Sequence, residues 1–201
     1  MGFSQYNPSI NFELLEERDC LYYQYNSPKP FSGKVFNIEG LSEGSFRNGK
    51  KSGKFSFYYD NGQLKSQGYY SNNLQQRKWT YYYENGQING TGSYKDGDGT
   101  DLGDTGIPRN GRTGKWKSFY ENGQLKDDFT YKNGKNDGSR KSYYENGQLE
   151  WVSTYKNGIQ IGFSKGYHKN GQLEWEYYHN TLGDIDDTKL VKRWYMNGQL
   201  F

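Results

Sequence analysis

Residues 142–151 read Ser-Tyr-Tyr-Glu-Asn-Gly-Gln-Leu-Glu-Trp, and the centre of this segment returns throughout the chain. The tripeptide Asn-Gly-Gln begins at Asn61, Asn85, Asn122, Asn146, Asn170 and Asn197. Successive spacings are 24, 37, 24, 24 and 27 residues, which is one period of 24 with an insertion of 13 after the second copy and of 3 after the fifth. A fixed period of this length indicates a repeat architecture.

A second turn signal lies between successive copies of the motif. It comprises Asn48-Gly49, Asn72-Asn73, Asp96-Gly97, Asn133-Gly134 and Asn157-Gly158. Asn-Gly is the strongest short signal for a type I′ hairpin, because both central residues need positive φ. We therefore predict type I′ turns at both sites and two strands in each unit. The expected fold is all-β: an elongated, single-layer antiparallel meander of tandem 24-residue β-hairpins.

Composition favours the same fold class. The chain contains no alanine, but it has 27 glycines and a large aromatic complement of 21 Tyr, 11 Phe and 5 Trp. These residues favour strands and glycine turns over helices. We expect the core to be built from aromatic rings, which pack well and can keep a polar edge in water.

The charge pattern excludes one class of partner. Lys and Arg number 26 and Asp and Glu number 23, and the net charge is +3. Because this balance lacks the basic footprint of a nucleic-acid binder, we expect no nucleic-acid partner. The lone Cys20 excludes an internal disulfide. Without an apolar stretch of membrane-spanning length or a signal-peptide pattern, the expected location is the cytoplasm, and a removed leader stays open.

Period-two alternation sorts the strand residues onto two faces. A two-residue turn would pair Tyr59 with Leu64 on one face and Asp60 with Gln63 on the other. The first, which we call the apolar face, would carry Phe55, Phe57, Tyr59, Leu64, Tyr70, Trp79, Tyr81, Tyr83, Ile88, Tyr94, Trp116, Tyr120, Leu125, Phe129, Tyr131, Tyr144, Leu149, Trp151 and Tyr155. The second, the mixed face, alternates polar residues with one aromatic per unit.

Two sets of aromatic residues are candidates for contacting a partner. The first set is the aromatic stripe of the mixed face: Tyr58, Tyr82, Phe119, Tyr143, Tyr167 and Trp194, flanked by Lys54, Lys78, Lys115 and Lys141. The second set is three tryptophans of the apolar face, Trp79, Trp116 and Trp151. The competing interpretation is that such rows of aromatics stabilise the sheet itself.

Glycine also recurs inside the strands, eight residues before several of the motifs. These positions are Gly53, Gly114, Gly138 and Gly162, with Arg77 and Lys189 in their place in two units. An isolated glycine in a strand pattern predicts a bulge or a bend.

The chain divides by pattern into an N-terminal cap and an array. Residues 1–30 do not repeat, and the apolar residues between Leu14 and Tyr23 predict a hairpin that caps one edge of the sheet. Residues 31–201 form the array, with insertions near 97–109 and 182–187.

We predict no catalytic, cofactor or metal site. The insertion Asp96–Asp104 reads as a solvated loop, with calcium binding as the open alternative, because it departs from the EF-hand pattern. The acidic loop around Asp184, Asp186 and Asp187 reads the same way. His168 and His179 stand where other units carry Tyr. Glu84, Glu121 and Glu145 precede exposed turns, where nothing would perturb them for acid–base catalysis.

The repeated motif resembles a known family. Tyr82–Gln87, Phe119–Leu125 and Tyr143–Leu149, alternating with Tyr131–Lys135, are similar to the bacterial variant of the MORN repeat. Residues 30–34, Pro-Phe-Ser-Gly-Lys, resemble the opening of YwqK-type proteins, which are described as antitoxins. The resemblance implies a β-hairpin repeat sheet and an antitoxin or immunity protein that binds and blocks a toxin protein.

Two other functions stay open at this stage. The stripe between lysines would suit a peripheral membrane protein that binds phospholipid. A structural scaffold that self-associates through an open edge strand is the other. The sequence names neither the partner nor the face it uses.

Overall fold

Glycine turns and aromatic-rich strands alternate along almost the whole chain. The computed structural model describes residues 9–38, 41–102, 105–186 and 192–200. It confirms the predicted all-β meander of consecutive hairpins. A single 3-10 turn, Phe12–Leu14, interrupts the N-terminal strands. The strands are β1 (Ile10–Asn11), β2 (Leu15–Arg18), β3 (Leu21–Gln24), β4 (Gly33–Ile38), β5 (Leu41–Arg47), β6 (Lys50–Lys51), β7 (Gly53–Tyr58), β8 (Leu64–Ser71), β9 (Leu74–Tyr82), β10 (Ile88–Gly97), β11 (Arg112–Phe119), β12 (Leu125–Lys132), β13 (Lys135–Tyr143), β14 (Leu149–Lys156), β15 (Ile159–Tyr167), β16 (Leu173–His179) and β17 (Lys192–Arg193).

The chain forms two compact units, residues 1–86 with 94–110 and residues 87–93 with 111–201. In the first unit the strands pair in the order β1-β4-β5-β7-β8-β9, and β6 also pairs with β5. In the second unit the order runs from β11 to β17 without a crossover. Strand β10 contributes residues to both units. Sequential antiparallel pairing is what short connections between neighbouring strands produce.

The Asn-Gly-Gln loop is not the predicted type I′ turn. In the first copy, Gly62 takes positive φ (81°) while Asn61 does not. The amide of Gly62 donates to the carbonyl of Tyr59 (2.8 Å), and the amide of Tyr59 donates to the carbonyl of Gln63 (2.8 Å). The side-chain oxygen of Asn61 accepts from the amide of Gln63 (2.9 Å). This local bond of the Asn side chain favours a longer loop over a two-residue turn.

The longer loop changes the predicted pairing of residues across the hairpin. Tyr58, and not Tyr59, pairs with Leu64, and the register shifts between Phe57 and Tyr58. The equivalent pairs in the second unit are Phe119 with Leu125, Tyr143 with Leu149 and Tyr167 with Leu173. The prediction that Tyr59, Tyr83, Tyr120 and Tyr144 lie in strands of the apolar face is therefore wrong, because these tyrosines lie in the loops.

The second turn set is of the predicted type I′ kind, with one exception. Both central residues have positive φ at Asn48-Gly49, Asn72-Asn73, Asn133-Gly134 and Asn157-Gly158. At Asp96-Gly97 only Asp96 does, and Gly97 ends strand β10. The 13-residue insertion that follows carries the chain onward, so no tight turn forms there.

Glycines inside the strands sit at bulges in two repeats, as predicted. Gly53, Gly114, Gly138 and Gly162 all have positive φ, and Arg77 adopts it as well (59°). The register shifts opposite three of these positions, between Gln67 and Tyr69, between Phe129 and Tyr131, and between Val152 and Thr154. Lys189, the other predicted replacement, lies outside the described residues.

In the first unit, large rings of the apolar face lie on glycines of the preceding strand. A Cβ added to Gly44 would come within 2.2 Å of Phe55 Cε1, and one added to Gly68 within 2.1 Å of Trp79 Cδ2. Phe55 and Trp79 are 0% and 1% exposed. Rings then follow each other edge to face, Tyr70 against Phe55 and against Trp79, both at 5.1 Å between centroids. Glycine is needed at these positions because the ring occupies the space of a side chain.

The second unit uses the same device and adds arginine. Trp116 lies on Gly92, and Trp175 lies on Gly166. The guanidinium of Arg112 stacks on Trp116 at 4.4 Å and contacts Tyr131 at 5.4 Å. In the next hairpin, Arg140 lies between Phe129 (5.2 Å) and Trp151 (4.9 Å). Planar guanidinium groups replace part of the ring-on-ring packing through cation–π contacts.

The predicted N-terminal hairpin is present, but it covers the apolar face of the first strands and does not cap the sheet edge, where β1 lies. Strands β2 and β3 pair antiparallel, and β1 pairs parallel with β4. Phe12 and Tyr22 contact the buried ring of Phe46 at 6.0 and 4.9 Å. Val35, Phe46 and Phe55 form the buried centre of this cluster.

Candidate partner-binding surface

The residues of the aromatic stripe lie at the loop end of the mixed face. The five that belong to the motif strands, Tyr58, Tyr82, Phe119, Tyr143 and Tyr167, are half-buried, and so is Trp194. In the first unit the hydroxyl of Tyr82 accepts a hydrogen bond from the side-chain amide of Gln67 (3.0 Å). Gln67 pairs across the strands with Ser56 on the mixed face, so Tyr82 lies on that face as predicted.

Loop tyrosines bind the backbone of the stripe residues. The hydroxyl of Tyr59 donates to the carbonyl of Tyr82 (2.7 Å). In the second unit Tyr120 donates to the carbonyl of Tyr143 (2.7 Å) and Tyr144 to that of Tyr167 (2.8 Å). We call this set of bonds the tyrosine ladder. Each bond joins one repeat to a stripe residue of the next, and so fixes the backbone that carries the stripe.

The donors of the ladder keep their protons well above neutral pH. Burial raises the pKa of Tyr59, and Glu84 raises it further. The pKa of Tyr120 and that of Tyr144 are raised by burial first and by Glu150 next. A neutral phenol is the form that donates a hydrogen bond, so the ladder is intact at neutral pH.

The loops themselves also stack on one another. The side-chain amide of Asn61 donates to the carbonyl of Glu84 (3.2 Å), and that of Asn146 to the carbonyl of Lys169 (3.1 Å). The Oε1 atom of Gln124 would lie 2.9 Å from a Cβ placed on Gly147. The Asn and the Gln of a motif therefore contact the next loop, and the Gln lies against the glycine of that loop.

The three tryptophans predicted to contact a partner lie on the apolar face in two different rows. Trp79 and Trp116 occupy equivalent positions, and each is 1% exposed. Trp151 pairs with Ser142 and is half-buried, in the row that also contains Trp175. The burial of Trp79 and Trp116 leaves almost no surface for a partner to contact.

Sequence reasoning missed an exposed basic and aromatic area on the mixed face of the first unit. Tyr69 is 40% exposed and pairs directly with Lys54. The guanidinium of Arg77 lies 5.3 Å from the centroid of the Tyr69 ring. Lys54, Arg77 and the neighbouring Lys78 are all exposed. The sequence did offer one signal for this area: Arg77 stands where four other repeats carry glycine, and its guanidinium lies on this face.

A shallow recess of about 390 Å³ opens beside the stripe in the first unit. Its lining is polar and consists of Tyr58, Tyr59, Asp60, Asn61, Lys65 and Glu84. The ammonium of Lys65 lies 5.4 Å from the centroid of the Tyr59 ring. A recess with one cation, two acids and two phenols could accept a polar side chain of a partner.

The two histidines take the structural places of tyrosines. The Nε2 atom of His168 lies 3.2 Å from the carbonyl oxygen of Trp194, which is the contact that Tyr120 and Tyr144 make in their repeats. His179 contacts Gln160 (Nε2 to Nε2, 3.1 Å) and the carbonyl of Gly183 (Nδ1, 3.2 Å). This agrees with the interpretation of both as replacements for Tyr.

The acidic insertion folds against the first unit, and its best-placed carboxylate is already hydrogen-bonded. Asp98 accepts from the amide and the hydroxyl of Thr100 (2.9 and 2.6 Å) and from the side chain of Asn110 (2.7 Å). These bonds hold the pKa of Asp98 below its usual value. Ile107 is buried, and the Tyr94 hydroxyl bonds to the carbonyl of Pro108 (2.6 Å). Asp104 and Asp187, also named as acidic loop residues, lie outside the described residues.

Within residues 9–38, 41–102, 105–186 and 192–200, no cluster of three or more His, Cys, Asp or Glu side chains could hold a metal ion. No helix in these ranges has the length and apolar character of a membrane span.

Paired turns, rings on glycine and a tyrosine ladder together define a β-hairpin repeat protein. Four segments match the family model of the MORN repeat variant: residues 51–72, 78–96, 112–133 and 136–157. The central part of the chain is therefore similar to an array of MORN-variant repeats, and such repeats occur in binding or scaffold proteins. No curated protein matches the chain.

Proposed function

We propose that this chain is a non-enzymatic protein-binding module that acts as an antitoxin or immunity protein, and that it blocks its partner by covering the partner's active site with the mixed face. The stripe residues Phe119, Tyr143 and Tyr167 would supply the central contacts in the second unit. Aromatic side chains give a large contact area at low cost in conformational entropy.

The tyrosine ladder is the observation that supports this proposal most directly. It fixes the backbone of Tyr143 and Tyr167 through two hydrogen bonds of 2.7 and 2.8 Å. A surface that is already ordered loses little freedom on binding, and therefore keeps more of its interaction energy as affinity. The stripe also lies on the open side of the sheet, opposite the face that buries Trp116.

The test is co-expression with the product of the neighbouring open reading frame. We expect rescue of growth and a stoichiometric complex in affinity purification. The variant Tyr143→Ala should weaken both, because it removes a stripe ring without removing a ladder hydroxyl. Tyr155→Ala is the matched control, since Tyr155 is a half-buried tyrosine in the adjacent strand on the apolar face. Failure to rescue growth, together with the absence of a complex, would refute the antitoxin role.

Binding of anionic phospholipid is the second candidate, and the exposed cations around Tyr69 favour it. Each Lys or Arg near an anionic membrane contributes about 1 kcal/mol. Flotation with phosphatidylserine vesicles tests it, with pure phosphatidylcholine vesicles as the control. We then expect Arg77→Glu to abolish flotation, whereas Lys117→Glu, an exposed lysine of the second unit, should leave it unchanged. Wild-type protein that stays with the unbound fraction rules this candidate out.

A further inference from the structure

Strand β15 inverts the polarity seen in the other repeats. On its apolar-face side stands Ser164, 0% exposed, where the equivalent positions carry Phe55, Trp79 and Trp116 and, in the preceding repeat, Arg140. Gln160 donates from its side chain to the hydroxyls of Ser153 (2.9 Å) and Ser164 (2.5 Å). At Ser164 the strand is thus held by a buried hydrogen-bond network, where three earlier repeats place an aromatic ring.

The apolar residues of β15 are on the mixed face instead. Phe163 is 51% exposed and packs edge to face on Tyr178 at 5.0 Å. Ile161 pairs with Thr154 and Ile159 with Lys156 on the same face, and Ile159 is 43% exposed. The positions equivalent to Ile161 carry Ser52, Gln76, Thr113 and Asp137, and those equivalent to Phe163 carry Lys54, Lys78, Lys115 and Ser139.

This comparison within one chain separates the patch from ordinary exposed apolar residues. Single exposed hydrophobic side chains are normal on protein surfaces. Here two positions that are polar in the four preceding repeats become Ile and Phe in the same strand. A contiguous apolar patch of this kind is typical of an interaction site. We call Ile159, Ile161, Phe163 and Tyr178 the β15 patch.

The charges beside the patch indicate what covers it. On the same face of the adjacent strand β14, exposed Lys156 and half-buried Glu150 lie three residues to either side of Ser153. Val152 and Thr154 pair with Lys165 and Ile161, so the centre of β14 lies beside Phe163. A two-fold axis parallel to the sheet, perpendicular to the strands and passing beside Phe163 would place Lys156 of one copy opposite Glu150 of a second. The same axis would bring the two Phe163 rings together.

We propose that the β15 patch is a homodimer interface, in which two copies of the chain pack face to face around Phe163. Because Glu150 lies beside Tyr167 on the mixed face, this dimer and the partner complex proposed above are alternative states of the chain. An isologous interface needs one self-complementary surface, and this face carries an apolar centre with opposite charges at its two ends. Association removes Phe163 and Ile161 from water in both copies at once.

The test is sedimentation velocity of the full chain over a range of micromolar concentrations. We expect a concentration-dependent dimer. Phe163→Lys, which installs the residue of the equivalent positions Lys54, Lys78 and Lys115, should raise the dimer dissociation constant at least about tenfold. Ile161→Thr, which installs the residue that Thr113 supplies at the equivalent position, provides a second probe should the first variant fold poorly. A wild-type monomer at every concentration, or a dimer equally stable in a folded Phe163→Lys or Ile161→Thr variant, overturns the proposal.

A charge swap tests the geometry of the dimer. Lys156→Glu places Glu opposite Glu150 and should weaken the dimer, whereas the double variant with Glu150→Lys should restore it. Lys117→Glu, which changes an exposed lysine away from the patch, is the control and should leave the dimer unchanged. Failure of the double variant to restore a weakened dimer would contradict the proposed two-fold arrangement.

Discussion

The indole ring of Trp79 lies directly on Gly68, so that a Cβ at that glycine would stand 2.1 Å from Trp79 Cδ2. The same relationship joins Gly44 to Phe55 in this unit, and Gly92 to Trp116 in the second. A one-layer sheet has no opposing layer to cover its rings. Here each ring is buried by the strand beside it, because glycine leaves room for the ring to lie flat.

Gly68→Ala should therefore be strongly destabilising. The Cβ cannot fit unless Trp79 moves out of its site, and overpacking of this kind costs roughly 1–3 kcal/mol or more. Urea unfolding should show the loss as a lower midpoint. Ser71→Ala, at an exposed residue of the same strand, should change the free energy of unfolding little. Equal midpoints for Gly68→Ala and wild type would contradict the packing described.

The tyrosine ladder predicts a difference between two adjacent tyrosines. Tyr144→Phe removes the hydroxyl that bonds to the carbonyl of Tyr167 and should cost about 1 kcal/mol. Tyr143→Phe should cost less, because among the described residues no hydrogen bond involves the Tyr143 hydroxyl. Both side chains are half-buried, so each variant is the other's control. Thermal unfolding of the two variants side by side is the measurement, and equal or reversed losses would contradict a stabilising role of the ladder.

Alkaline pH should weaken the first unit through its buried tyrosines. Burial raises the pKa of Tyr70 to about 12, and it raises that of Tyr81 further. An unfolded tyrosine loses its proton near pH 10. Between these values the folded state holds a proton that the unfolded state has lost. The stability contribution is therefore complete below about pH 10 and is lost as the pH rises towards about 12.

The measurement is the urea midpoint between about pH 9 and about pH 11. The free energy of unfolding should fall by up to about 1.4 kcal/mol per pH unit for each such tyrosine, and the midpoint falls with it. Tyr70→Phe removes one titrating group and should flatten the slope, whereas Tyr25→Phe, at a tyrosine 69% exposed, should not. A slope unchanged in Tyr70→Phe would mean that this phenol does not contribute.

The bulge positions should differ in what they tolerate. Gly162 has φ 70° and open space around its Cβ position, so Gly162→Asn should cost less than about 0.5 kcal/mol, since Asn adopts the left-handed region readily. Gly138 has φ 117°, outside that region, and a Cβ there would lie 3.4 Å from Thr130 Cβ. Gly138→Asn should therefore cost about 1–3 kcal/mol. Chemical denaturation of both variants decides, and equal losses would contradict the argument from φ.

The periodic features could be predicted from sequence because each follows from local chemistry. The type I′ turns at Asn133-Gly134 and Asn157-Gly158 and the bulge glycines depend on φ preferences of single residues. The Asn-Gly-Gln loop was predicted wrongly because the same dipeptide suits two turns. In the longer loop the backbone amide of the residue after the glycine binds to the Asn side chain, as that of Gln148 does to Asn146 (3.0 Å), and the dipeptide alone does not reveal this bond.

The candidate site was harder to predict because it depends on which row each ring joins. Trp79 and Trp116 are 37 residues apart, the spacing of the motif across the insertion, whereas Trp151 follows Trp116 by 35 and so falls in another row. The spacing was therefore an available signal. The inverted polarity of β15 was not visible from periodicity alone. The structure was needed to show that Ser164 lies on the apolar face and Phe163 on the mixed face.

The hydrogen bonds of the turn glycines also affect how fast the asparagines of the chain deamidate. The sequence contains eleven Asn-Gly dipeptides, the pair most prone to spontaneous deamidation, in which the glycine nitrogen attacks the Asn side-chain carbonyl and expels ammonia. In nine of them, among them Gly62, Gly147 and Gly158, the glycine amide already donates to a backbone carbonyl. The attacking nitrogen is thereby held away from the reaction while the fold persists. The rate of deamidation is therefore expected to depend on how often the chain unfolds. Each unfolding event exposes these sites together, whereas the folded repeats protect them.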